Sequence, residues 1–193
     1  MAPGRVIYAA TSNMHKIREL ERVLSECGYR VEPIAAPKVE LQGDLRSVAL
    51  YAASLAYSIV GRPLIVEDAG LFIEALNGFP GPYSAYVYKT IGIEGVVKLM
   101  EGVADRRAYF YSVIALAYDR GVALFEGRCD GRIAEEPRGT RGFGFDPIFI
   151  PEGESRTFAE MSIEEKNMYS HRARAARRLC SWLESGEELG GGR

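Results

Sequence analysis

Apolar residues run unbroken through RVIYAA at positions 5–10 and give way at once to the polar cluster Thr11, Ser12 and Asn13. A short continuous run bounded by turn formers predicts a buried strand, and the cluster after it predicts the start of a helix. Ile17, Leu20, Val23, Leu24 and Cys27 then recur at helical spacing and mark one apolar face. The same periodicity through Val48, Ala49, Ala52, Leu55 and Ala56 predicts a second helix over about 45–59, stopped by Gly61, Arg62 and Pro63. Leu64–Val66 reads as another buried strand, ending in the acids Glu67 and Asp68, and NGFPGPY at 77–83 reads as a turn. Ile93, Val96, Val97 and Met100 share a face of a further helix. Two β-rich runs, 107–118 and 122–128, flank Asp119, Arg120 and Gly121, the pattern of an antiparallel hairpin.

Toward the C-terminus, Ser162 and Glu165 have the spacing of a capping box that opens a short helix at Ile163. On one continuous helix Lys166 and His171 would stand about 140° apart and share no face. A break near Tyr169 is therefore expected, with Ser170 starting a new helix through Leu179 and Leu183. Helices alternating with strands, followed by a hairpin, predict an α/β fold with a mixed sheet covered by helices. No linker demands independent domains, so one domain over 1–186 is expected, with 187–193 as a frayed tail.

Composition narrows the class. A chain of 193 residues with 47% hydrophobic and 26% charged residues is globular, long enough for one good core or two modest lobes. The net charge of -2 provides no overall field for nucleic acid or anionic lipid, so an anion site must be built locally. No run approaches a membrane span, and the N-terminus lacks the pattern of a signal peptide. Cys27, Cys129 and Cys180 have no metal-type spacing and read as reduced, buried thiols of a cytosolic protein.

Three stretches offer chemistry. ATSNMHK, positions 10–16, joins a strand to a helix, leaving backbone N–H groups at a helix start to meet phosphate oxygens, with Lys16 one turn in. The alternative there is simple capping by Thr11, Ser12 or Asn13. IVEDAGLF, positions 65–72, carries Glu67 and Asp68; a carboxylate in such a place holds Mg²⁺ or takes a proton from water. Because side chains alternate along a strand, only one of the pair should face a ligand; the alternative is a solvated strand end or an ion pair with an arginine. Glu40 offers a second metal oxygen. EEKNMYSHR, positions 164–172, brings the donors Lys166, His171 and Arg172, while Arg174, Arg177 and Arg178 read as an exposed basic face. GFGFDPIF, positions 142–149, fits neither strand nor helix and reads as a loop that presents an aromatic ring and a carboxylate to a flat ligand.

Taken together, ATSNMHKIREL, VEDAGLFIEALNGFPGPYSAYV, RGTRGFGFDPIFIPEG and TFAEMSIEEKNMYSHR, in this order, resemble the inosine triphosphate pyrophosphatase family, from Val6 to about Leu183. The resemblance implies an elongated mixed α/β fold with two lobes around a substrate cleft, a cytoplasmic homodimer and a need for Mg²⁺. It implies hydrolysis of ITP, dITP or XTP to the monophosphate and pyrophosphate, a house-cleaning activity that keeps these nucleotides out of DNA and RNA. Carried over, Thr11, Ser12, Asn13, Met14, His15 and Lys16 match the phosphate-binding stretch. Glu40 and Asp68 match the metal-binding acids, and Asp68 also the proton acceptor. Ala69, Phe143, Gly144, Phe145, Asp146, Lys166, His171 and Arg172 match nucleotide-binding positions. On this pattern Phe143 or Phe145 stacks on the purine, glycines admit backbone to its edge, and Asp146 accepts from a ring N–H. His171 and Arg172 donate to a 6-keto oxygen that adenine lacks, worth ~10⁴-fold in discrimination.

Three positions depart from the family pattern. Ala69 stands where some relatives have Ser, so only its backbone can serve; Ser12 stands where many have Gly; and the helix of residues 45–60 lacks the usual Asn and Lys, for which Arg46 is a substitute to consider. Two other readings compete. One is a related pyrophosphatase acting on a modified pyrimidine, against which the GFGFDP and SHR segments argue. The other is a nucleotide or RNA binding module using the Arg-rich helix, against which the acidic balance and the carboxylate pair argue.

Overall fold

The structure is a computed structural model and describes residues 5–37, 43–186 and 189. Its elements in chain order are β1 (Arg5–Ala9), α1 (Met14–Leu24), β2 (Tyr29–Pro33), α2 (Leu45–Val60), β3 (Leu64–Ile73), β4 (Pro80–Gly81), α3 (Ser84–Thr90) and α4 (Gly92–Leu99). They continue with β5 (Arg107–Tyr118), β6 (Gly121–Ile133), β7 (Phe149–Pro151), α5 (Ile163–Tyr169) and α6 (His171–Glu184). Strand order is β2-β1-β3-β5-β6-β7, with β4 on β3. β1 runs parallel to β2 and β3, whereas β3 with β4 and β6 with β7 are antiparallel. The sheet is mixed and flanked by helices, as expected. No helix among the described residues is long and apolar enough to cross a membrane.

The chain divides into two compact units. The first takes residues up to Asp68, then Ser112–Gly127 and the chain from Arg172. In its core, Ile7 and Ala9 of β1, Ile65 of β3 and Ile114 and Leu116 of β5 gather with Ile17, Leu20, Val23 and Leu24 of α1 and Ala175, Ala176 and Leu179 of α6. The α1 residues are those of the predicted apolar face. Trp182 packs on this core, edge-on to Tyr118 and Phe125 at 5.3 and 5.8 Å.

The second unit takes Ala69–Tyr111 and Arg128–His171. Its core is aromatic: the Phe110 ring lies 4.7 Å from Phe149 and 6.1 Å from Phe158, and Phe149 lies 5.1 Å from Phe158. The capping box is present, Ser162 Oγ accepting from the Glu165 amide at 3.2 Å and Glu165 Oε2 from the Ser162 amide at 2.8 Å. The expected break is also present: α5 ends at Tyr169, Ser170 is extended (φ -64°, ψ 145°), and α6 begins at His171.

Two expectations are corrected. The strand expected over Leu64–Val66 runs on to Ile73, so Glu67 and Asp68 lie mid-strand. Gly70 marks a close approach within the strand, because a Cβ there would stand 2.2 Å from the Gly81 carbonyl oxygen of β4. The three thiols are not all reduced: Cys27 and Cys180 form a disulfide with Cα atoms 5.8 Å apart, and Cys129 remains a free, buried thiol. The two partners are 153 residues apart, a separation that carries no spacing signal. The frayed-tail expectation lies outside the described residues except at Leu189.

Candidate functional site

In the first unit the turn after β1 leads into α1 through an Asn13 cap. Asn13 Oδ1 accepts from the amides of His15 at 3.0 Å and Lys16 at 3.4 Å, and Thr11 Oγ1 accepts from the Asn13 amide at 3.1 Å. Capping and anion binding were opposed readings of this stretch, and the structure gives the Asn13 side chain to capping. Ser12, Met14 and His15 are exposed and Thr11 is half-buried.

Lys16 reaches from the first turn of α1 to β3, where its ammonium donates to the Glu67 carbonyl at 2.9 Å and pairs with Glu67 Oε2 at 2.9 Å. The other Glu67 oxygen, Oε1, accepts from Ser112 Oγ at 2.6 Å and pairs with Arg172 Nε at 3.1 Å. Arg172 also donates from Nη1 to Glu19 Oε2 at 2.5 Å. A chain of charges therefore joins α1, β3 and α6, and the Glu19, Glu67 and Arg172 side chains are 4% exposed or less. Burial by itself would push the Glu67 carboxyl up; the Arg172 and Lys16 cations and the Ser112 hydroxyl outweigh it and hold the acid far below the ordinary carboxylate range. Burial would likewise pull Arg172 down, and Glu67 and Glu19 outweigh that and raise it.

Asp68 follows on the same strand and is half-buried where Glu67 is buried, the alternation expected of adjacent strand residues. Ala69, also half-buried, comes next. Glu40 lies outside the described residues. Arg46 pairs with Glu126 Oε1 at 2.6 Å on the surface.

The second unit holds the GFGFDP loop. Asp146, 2% exposed, accepts through Oδ2 from the Phe143 amide at 2.9 Å and from Lys166 Nζ at 2.6 Å. Lys166 is buried too and stands 5.2 Å from the Phe143 ring centre and 5.3 Å from that of Phe158. The loop glycines also have backbone reasons of their own. Gly142 has φ +73°, and a Cβ on it would come within 2.0 Å of Asp146 Oδ2; Gly144 has φ +61° with open space around it. Of the two rings, Phe145 is 3% exposed, belongs to the core and meets Tyr88 edge-on at 5.5 Å, whereas Phe143 is half-buried. His171 is buried with its ring stacked on Phe110 at 4.6 Å and 11°.

Reasoning from sequence overlooked Glu19, Ser112 and Phe110. Glu19 stands three positions after Lys16, a spacing that reads as a surface pair. Ser112 had a usable signal as a lone hydroxyl inside an apolar strand.

The sequence model of the Ham1 family matches residues 7–182. A dITP/XTP pyrophosphatase of Hyperthermus butylicus is 64% identical over 181 residues, covering 93% of this chain and 95% of the relative. One of Saccharolobus solfataricus is 50% identical over 183 residues, covering 94% and 95%. Among solved structures, a HAM1 protein from Coxiella burnetii superposes with a TM-score of 0.82 at 33% identity, covering 94% of this chain and 100% of that one.

Proposed function

The chain belongs to the Ham1 family, and from that premise we propose that it is a pyrophosphohydrolase of non-canonical purine nucleoside triphosphates, ITP, dITP and XTP. It cleaves a phosphoric anhydride, releasing the monophosphate and pyrophosphate, and so keeps these nucleotides out of DNA and RNA. The observation that supports the reading best is the acid pair on β3: Glu67 is buried and grips Lys16, and Asp68, the next residue, is the partly exposed one.

In this reading Lys16 and the stretch Thr11–His15 receive the phosphates. Asp68 orients the attacking water and takes its proton. Its oxygens are also the hard donors that Mg²⁺ selects, and Glu40 adds another. Bound Mg²⁺ would neutralise charge that builds on the leaving pyrophosphate. For the base, Phe143 supplies the stacking face. The Phe143 amide and Lys166 fix the Asp146 carboxylate to accept from a ring N–H. His171, held flat by Phe110, and Arg172 donate to the 6-keto oxygen. The reading extends to a cytoplasmic homodimer whose substrate is a small molecule, with no nucleic-acid or membrane partner.

The test is pyrophosphate release from ITP, dITP, XTP, GTP and ATP with Mg²⁺, by wild type and Asp68→Asn. Turnover confined to ITP, dITP and XTP and reduced at least ~100-fold in the variant is expected. Equal turnover of all five would remove base discrimination from Asp146, His171 and Arg172. No turnover of any would overturn the assignment.

A further inference from the structure

Glu67 joins both cations of the first unit's charge network, yet it stands apart from the chemistry proposed for its neighbour. Its side chain is 2% exposed, and its contacts are Lys16, Ser112 and Arg172. A lysine ammonium has three protons. On Lys16 one of them is donated to the Glu67 carbonyl at 2.9 Å, and the ammonium is held beside the carboxylate of the same residue as an ion pair, also at 2.9 Å. The hydrogen bond and the ion pair together hold the ammonium nitrogen in place on β3. Lys16 is also the more exposed partner, with 19% of its side chain accessible against 2% for Glu67. Its accessible side is therefore the one that can meet a ligand.

The remaining contacts set Glu67 itself. Ser112 and Arg172 both meet Oε1, which leaves Oε2 to Lys16. Glu19 meets Arg172 from α1, the helix that also carries Lys16. α1 thus supplies one cation and one anion, and both connect through Glu67 and Arg172. Glu67 also keeps the cluster from presenting an excess of buried positive charge, which would be costly without it.

We infer that Glu67 is a positioning residue that aims the Lys16 ammonium at the phosphate chain, with Ser112 and Arg172 fixing its own rotamer. The inference rests on the phosphate-binding role proposed above for Lys16. It is distinct from a stabilising role because it acts through one group, so its effect must vanish when that group is absent.

The test is calorimetric titration of the full chain with inorganic tripolyphosphate, at one pH and salt concentration, for wild type, Glu67→Gln, Lys16→Ala and the double variant. Near-ultraviolet circular dichroism checks each fold, and wild-type ITP turnover is measured alongside. Glu67→Gln is expected to weaken binding at least ~10-fold, and the double variant to bind no more weakly than Lys16→Ala. Wild-type-like binding by Glu67→Gln, or losses that multiply in the double variant, would overturn the inference. If Glu67→Gln loses its fold, Glu67→Asp and Ser112→Ala replace it, each keeping the charge. A loss of binding that disappears in the Lys16→Ala background supports the inference, and no loss in either overturns it. A wild type that neither binds tripolyphosphate nor turns over ITP takes down the functional reading and the inference together. An active wild type with an indifferent Glu67→Gln takes down the inference alone.

Discussion

The two units solve opposite electrostatic problems. In the first, a buried carboxylate organises cations: Glu67 holds Lys16 and Arg172, and Glu19 shares Arg172. In the second, a buried cation organises a carboxylate: Lys166 holds Asp146 at 2.6 Å, both side chains 3% exposed, among aromatic rings. Each arrangement suits the ligand part proposed for it, an anionic phosphate chain in one and the N–H edge of a base in the other. They differ also in redundancy. Removing Glu67 leaves Arg172 on Glu19 and Lys16 on a carbonyl, whereas removing Lys166 takes from Asp146 an ammonium at 2.6 Å. The network around Glu67 should tolerate a lesion better than the buried Lys166–Asp146 contact, and that contrast can be tested.

The largest effect should come from Lys166→Met. Breaking a buried pair from one side typically costs ~3–5 kcal/mol, because the remaining charge stays desolvated. Thermal and urea unfolding should register this loss, and Glu67→Gln should cost measurably less. Equal losses would mean that the extra partners of the first unit confer no tolerance. Replacing Lys166 and Asp146 together by apolar residues should recover most of the stability while abolishing base discrimination.

A second contrast is covalent. The first unit has the Cys27–Cys180 bridge, which ties the turn following α1 to α6, and among the described residues the second has only the free Cys129. A loop spanning 153 residues constrains the unfolded chain strongly, and loss of such a bridge costs roughly 2–4 kcal/mol. The Cys27→Ser/Cys180→Ser variant, or wild type under a strong reductant, should melt lower by that amount, and Cys129→Ser should melt close to wild type. A shift from reductant alone that persists in the double-serine variant would place the redox effect elsewhere.

What could be read from the sequence follows the same division between local and distant causes. The apolar stripe of α1, the Ser162 box and the break at Ser170 depend on residues within one or two turns of each other, and periodicity or a rotation argument finds them. The extent of β3 depends on Gly81 approaching Gly70, and the disulfide on α6 packing beside α1; neither leaves a local trace. The candidate site divides likewise. Lys16, Asp68, Asp146 and His171 were recognisable by motif. Partners such as Ser112 and Phe110 come from elsewhere in the chain, on β5, and burial is what identifies them. Phe145 shows the converse error: the motif offers two phenylalanines as equals, and packing assigns one to the core.

The smallest effect isolates a purely local device of the second unit. Ser162→Ala removes the hydroxyl that accepts from the Glu165 amide and should cost about 1 kcal/mol. The reciprocal half of the box survives, because Glu165 Oε2 accepts from the Ser162 backbone N–H, and Arg156 donates to Oε1 at 2.8 Å. That N–H first, and the Arg156 guanidinium next, hold the Glu165 carboxyl below its ordinary value. A carboxyl depressed in the folded state adds stability that is fully present above its unfolded pKa and is lost as pH falls through the folded one. The Ser162 hydroxyl lowers the Glu165 carboxyl too but is the least of the causes, so stability curves of wild type and Ser162→Ala should run nearly parallel from neutral pH, offset by the cost of the cap and drawing together slightly in acid. Full convergence of the two curves in acid would mean that the serine hydroxyl, rather than the backbone N–H, is the main support of the carboxylate, and that even this short box behaves as a coupled network of the kind seen in the first unit. Glu165→Gln supplies the control, because it should flatten the acid limb contributed by this group while leaving the hydroxyl half of the box intact.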